Sequence, residues 1–205
     1  TGTEATKNAV LREMGPNGFK KSLRHDAYVP DIAVIDPELA VGVPQRVTAA
    51  SGLDAITQNL EAYVSTGANY FTDAVALSGL EAAGRSFLRV LQNGRDVNAR
   101  ADMAWAAHTS GIALANAGLG LVHGAAGPAG AMHDIPHGVA CGRLLPLVTR
   151  ATISRLRTVV SGPGAGDRAK DTLTRYARAG AAMAGQDRGS VEANCDLLVE
   201  TLEGF

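Results

Sequence analysis

The chain has 205 residues, of which 46% are hydrophobic, 19% charged and 4% aromatic; this balance excludes intrinsic disorder and is enough to bury one substantial core. A formal net charge of -1 excludes bulk attraction to nucleic acid or to an anionic membrane, so neither is expected as a partner. Two cysteines, Cys141 and Cys195, are too few for a disulfide framework or a cysteine-ligated zinc site, and they fit a reducing compartment.

In chain order, residues 1–45 read as extended structure with turns. Lys7 to Leu11 predicts a short strand, and Gly15-Pro16-Asn17-Gly18 a turn. Ile32-Ala33-Val34-Ile35-Asp36 is a compact β-branched run closed by Pro37 and predicts a second strand. From residue 47 to about 203 the pattern becomes helical. Ser51 or Thr48 is the expected cap of a helix carrying Leu53, Ile56, Leu60 and Val64. Thr72 or Asp73 opens the next, with Ala76, Leu80, Ala83, Phe87 and Val90 on one face, and Asn93-Gly94 ends it. A third runs from about Val97 to Asn116. The glycine-punctuated stretch 118–130 follows, where Pro128 and Pro136 are expected to interrupt helices. Another helix begins after Pro136 and carries Val139, Leu144, Leu145 and Val148. Gly162 to Gly166 is a connecting loop, and two amphipathic helices fill 167–184 and 188–203. The fold class is mostly α, with a short β element at the N-terminus. No apolar run reaches transmembrane length, and Thr1-Gly2-Thr3-Glu4 is unlike a signal peptide, so a cytoplasmic protein is expected.

Two places can carry chemistry. Asp54 and Gln58 lie four apart, on one helix face; such pairs are usually solvated or make a local hydrogen bond. His123, His133 and His137, three of the chain's five histidines, fall amid glycine and alanine with almost no competing charge, a setting that suits metal ligation as well as a packed core histidine. No His-Glu-x-x-His spacing is present. Pro128 and Pro136 place His123 and His137 on separate segments that must converge.

Five segments, Thr1-Gly2-Thr3-Glu4, Ala33 to Leu39, Thr48 to Ala55, Asn116 to Gly124 and Asp134 to Gly138, resemble the iron-containing alcohol dehydrogenase family in order and spacing. The resemblance implies the C-terminal helical domain of the dehydroquinate synthase-like fold. Residues 1–45 would then be the edge of a cofactor domain and 46–205 the all-helical metal-binding domain. It implies an NAD- or NADP-dependent oxidoreductase acting on a small alcohol, aldehyde or ketone, in a protein nearly twice as long and commonly oligomeric. Asp54, His123 and His137 match metal ligands of the family, and the metal would be Fe(II), zinc or another divalent ion. The family's fourth ligand is commonly a histidine where this chain has Gln58, whose amide oxygen is the expected substitute. A second departure is Gly127, where many members have a histidine near the substrate; His133 either compensates for it or is packed. Thr1, Gly2 and Thr3 match the tail of a cofactor-binding loop, and Lys20 falls near a lysine that approaches the nucleotide. Without the family, Lys20 and Lys21 read as a solvated turn. The departures leave open a metal-free reductase relative, and the missing glycine-rich diphosphate loop leaves open a non-catalytic metal-binding or assembly module.

Overall fold

The computed structural model describes residues 1–13, 19–133, 135–164 and 166–205. The turn expected at residues 15–18 lies outside them. Two antiparallel strands, β1 (Asn8–Arg12) and β2 (Lys20–Arg24), pair with Asn8 opposite Arg24 and Arg12 opposite Lys20. Among the described residues seven α-helices follow: α1 (Gln45–Tyr63), α2 (Tyr70–Gln92), α3 (Val97–Ala117), α4 (Leu121–His133), α5 (His137–Ser161), α6 (Asp167–Ala184) and α7 (Val191–Glu203). None of the described helices is long and apolar enough to cross a membrane.

β1 falls within one residue of its expected place, but the expected strand at Ile32–Asp36 does not form. That run has no strand assignment, and Ile32 and Val34 are 82% and 85% exposed. A β-branched run needs a ladder partner to become a strand. The partner of β1 is instead Lys20–Arg24, whose Lys-Lys-Ser-Leu-Arg sequence lacks the apolar alternation that marks a strand.

α1 is the central helix. Every residue from Asp54 to Tyr63 is buried, because α2, α3 and α5 pack around it and α4 touches its flank. A helical segment enclosed on all sides carries no amphipathic stripe, so the polar residues in the second half of α1 are internal by position. It begins at Gln45, a full turn before the caps expected at Thr48 or Ser51. α2 starts behind Asn69, whose side chain accepts from the Phe71 and Thr72 amides in a capping box completed by Thr72. α6 is tied to the end of α1 by Arg175, which donates to the Tyr63 carbonyl, stacks over the Tyr63 ring and pairs with Asp73 of α2.

α4 departs from expectation. The glycine-rich stretch forms a helix that continues through Pro128, which can donate no bond to the carbonyl of Gly124. α5 likewise contains Pro146 and starts behind Pro136, whose fixed φ suits a helix entrance.

On the α2–α3 face, Asp102 accepts from Arg85 and Ser86. Burial alone raises the Asp102 carboxyl pKa, but these donors outweigh it and hold the group below its ordinary 3.8. A lowered folded-state pKa contributes stability that is present above the unfolded value and lost as pH falls through the folded one. Asp102→Asn is therefore expected to lower stability by about 1–2 kcal/mol at neutral pH and to lose stability less steeply than the parent from neutral pH down through the ordinary carboxylate value of 3.8. Urea unfolding at both ends of that range checks this; an equal loss at both would show that the carboxylate charge is not involved.

Candidate metal centre

α1 contributes Asp54, Gln58 and Glu61 to the site, at i, i+4 and i+7 and so on one face. α4 contributes His123 in its first turn, and α5 contributes His137 and Cys141, again four apart. The junction between α4 and α5 lets the two histidine-bearing helix starts converge on α1, bringing the imidazole centroids to 5.3 Å.

Asp54 is 4% exposed. Its Oδ2 accepts from Gln58 Nε2 at 2.8 Å and from the Thr1 amino group at 3.1 Å. Its Oδ1 is buried and has no hydrogen-bond partner among the described residues. That orphaned oxygen faces His123 Nε2 at 3.4 Å and His137 Nε2 at 3.5 Å. Cys141 Sγ lies 3.9 Å from His123 Nε2 and 3.7 Å from His137 Nε2. One donor atom from each of Asp54, His123, His137 and Cys141 falls within 4.8 Å of all the others.

Glu61, 6% exposed, fixes His123 from behind. Its carboxylate accepts from His123 Nδ1 at 2.6 Å, from the Val122 amide at 2.6 Å and from the His123 amide at 3.3 Å. It therefore caps the first turn of α4 and holds the proton on Nδ1, so that Nε2 is the nitrogen turned to the cluster. Burial alone raises the Glu61 pKa, but the bonds from His123 and the α4 entrance outweigh it and lower the pKa. Asp54 behaves alike: burial opposes its charge, and His123 and His137 help to hold its carboxyl below the carboxylate range. Burial would depress the imidazole of His123, yet Asp54, Cys141 and Glu61 push it up to about 11. The centre is thus strongly attractive to positive charge.

The anticipated residues divide. Asp54, His123 and His137 come together. Gln58 adjoins them, with Nε2 on Asp54 and Oε1 accepting from Ser110 Oγ at 2.6 Å. His133 is exposed in the last turn of α4 and is not one of the clustered donors, so it is not packed in the core. Gly127 itself is exposed, and a Cβ there would meet nothing within 4 Å. Thr1 donates its hydroxyl to the Ser51 carbonyl. Gly2 is buried at φ 68, where a Cβ would meet Gly111 N at 2.5 Å, so residues 1–3 are seated on α3 beside Asp54. The side chain of Lys20 lies outside the described residues. Glu61 and Cys141 were not anticipated. The cysteine count excludes an all-cysteine site but not a mixed one, which needs a single thiol.

The sequence pattern described as "Fe-containing alcohol dehydrogenase family, C-terminal" matches residues 48–203. The chain belongs to the iron-containing alcohol dehydrogenase family. It is 34% identical over 200 residues to the probable alcohol dehydrogenase EutG of Salmonella typhimurium, covering 98% of this chain and 47% of that protein. Against 1,3-propanediol dehydrogenase of Klebsiella pneumoniae it is 42% identical over 150 residues, covering 73% of this chain and 38% of the relative. Its fold superposes on the crystal structure of a 1,3-propanediol oxidoreductase with TM-score 0.85 at 30% identity, covering all of this chain and 49% of the other. The chain spans about half the length, or less, of these relatives. The helical fold with a short N-terminal sheet is that of the family's C-terminal part.

Proposed function

We propose that this chain is the metal-holding helical part of an alcohol dehydrogenase that exchanges hydride between a small alcohol and NAD or NADP. The observation that carries the reading is the buried, unpartnered Asp54 Oδ1 facing two imidazole nitrogens at 3.4 and 3.5 Å. Leaving a buried carboxylate oxygen unpaired is unfavourable by about 1–3 kcal/mol or more, and a divalent cation among these donors relieves it. The donor set of one carboxylate and two imidazoles fits the iron that the family's description names, and equally zinc.

A divalent ion held by Asp54, His123 and His137 supplies Lewis acidity toward an alcohol or carbonyl oxygen. The chain's own residues do the rest. Glu61 would hold the Nδ1 proton of His123, so that Nε2 is the nitrogen that gives up its proton and presents its lone pair to an ion. Gln58 and the residue 1 backbone hold Asp54 by its other oxygen. The side chain of His137 is 37% exposed, so the cluster opens to solvent on the α5 side, where a small substrate enters. The approach to the nicotinamide nucleotide is assigned to Thr1, Gly2 and Thr3, which are seated beside Asp54, and, on the family resemblance alone, to Lys20. The nucleotide itself is assigned to the part of the relatives that this chain does not cover. Hydride transfer requires both parts to meet at the substrate carbon.

Elemental analysis of the chain beside His123→Ala tests the reading. Roughly one iron or zinc per chain is expected, with little or none in the variant. No metal in the parent after anaerobic reconstitution with Fe(II) overturns the metal-dependent mechanism.

A further inference from the structure

The position where the family pattern has a third histidine is occupied by Gln58, and both ends of its amide are already engaged. Nε2 donates to Asp54 and Oε1 accepts from Ser110. Ligation through Oε1 would require the amide to abandon Ser110, a buried hydroxyl, and to withdraw its support from Asp54. The cluster nevertheless contains a fourth donor. Cys141 is fully buried, one turn beyond His137 on the same face of α5, with its sulfur 3.7 and 3.9 Å from the two imidazole nitrogens.

We propose that Cys141 Sγ completes the metal-binding set with Asp54, His123 and His137, that Gln58 is a positioning residue for Asp54, and that the centre selects a thiophilic divalent ion, zinc above iron. The inference rests on the metal-holding reading and specifies it. A tetrahedral zinc ion with bonds of about 2.0–2.1 Å to nitrogen and oxygen and about 2.3 Å to sulfur spaces its ligand atoms about 3.3–3.6 Å apart. Four of the six separations, 3.4, 3.5, 3.7 and 3.9 Å, meet that spacing after contractions of a few tenths of an ångström, and the other two lie within 4.8 Å. A second observation, independent of the cysteine, is the orphaned Oδ1 of the nine-tenths-buried Asp54 aimed into the same space. Thiolate softness favours zinc over Fe(II), which carboxylate and imidazole alone would serve. On binding, the thiol proton leaves to solvent and sulfur donates its electron pair to the ion; no redox change is involved.

Cobalt(II) is the probe, because cobalt–thiolate bonds absorb in the near ultraviolet. Titration of the metal-free chain is expected to produce that charge-transfer band, saturating at roughly one cobalt per chain. Cys141→Ser should still bind cobalt but lose the band, with zinc affinity reduced at least about tenfold. Cys195→Ser should keep the band, since Cys195 Sγ is buried against the Leu173 carbonyl. This second variant identifies Cys141 as the only remaining thiol even if the first fails to fold. Gln58→Ala should keep the band with weaker binding. Cobalt bound without the band, or a band surviving in Cys141→Ser, overturns the proposal and leaves the metal-holding reading standing. Failure of the parent chain to bind cobalt overturns both.

Discussion

Replacing Glu61 by alanine is expected to weaken zinc or iron binding by about 100-fold and to lower stability by about 3–5 kcal/mol. Glu61 touches no metal donor atom of its own. It accepts three hydrogen bonds, from His123 Nδ1 and from the amides of Val122 and His123, at 2.6, 2.6 and 3.3 Å. Removing the carboxylate strands two helix-entrance amides in the interior and frees the imidazole to rotate or to shift its proton to Nε2, where a metal must bind. Glu61→Gln separates the two effects. It keeps one acceptor for the α4 entrance, so most of the stability should return. It also loses the charge that fixes the His123 tautomer, so metal affinity should stay about tenfold weak. Competition against a chromophoric chelator gives the affinities, and thermal unfolding of the metal-free chains gives the stabilities. An alanine variant within twofold of the parent affinity would show that His123 is oriented by something other than Glu61.

The sequence made much of this centre legible, and the parts it hid have definite causes. His123 and His137 stood out because three of the chain's five histidines fall together and the intervening residues are mostly glycine and alanine, with Asp134 the one carboxylate. Asp54 and Gln58 were readable as one helix face, and the same periodicity carried one step further reaches Glu61. Without the third dimension, that glutamate looks like an ordinary solvated charge. Only the enclosure of α1 on all sides makes it internal. Cys141 was concealed differently. Its i+4 relation to His137 was visible, but a single thiol has no spacing partner of its own, and its neighbours in the cluster come from α1 and α4. Helices α2 and α6 fell close to their expected bounds because their apolar periodicity is complete within each segment, and α3 because it runs between the Asp96 cap and Gly118. β2 and the unpaired run at Ile32–Asp36 did not, since strand formation depends on a partner elsewhere. α4 was hidden by Pro128 and its glycines, residues that lower local helix propensity. It is held as a helix by its entrance on Glu61 and its packing on α5.

Gly138→Ala is expected to lower stability by about 1–3 kcal/mol and to weaken metal binding about 10- to 100-fold, although glycine to alanine inside a helix is ordinarily favourable. A Cβ at position 138 would lie 2.0 Å from the carbonyl oxygen of Ala50, 2.6 Å from its carbonyl carbon and 3.1 Å from its Cα. These are backbone atoms of α1, so no side chain can turn aside; α5 itself must retreat. His137 precedes this contact directly and Cys141 follows it by one turn, so the retreat moves two donors away from Asp54 together. Gly127→Ala is the matched control, because a Cβ there meets nothing within 4 Å, and it should stabilise α4 by up to about 1 kcal/mol with metal affinity unchanged. Chelator competition and urea unfolding of both variants decide the matter. Equal behaviour of the two would mean that the α1–α5 approach is loose and the donors are placed by other contacts. The expected contrast would assign a physical role to each half of the His137-Gly138 pair: the histidine faces the cation, and the glycine lets the backbone of α5 come close enough to Ala50 for that histidine, and the cysteine a turn later, to reach Asp54.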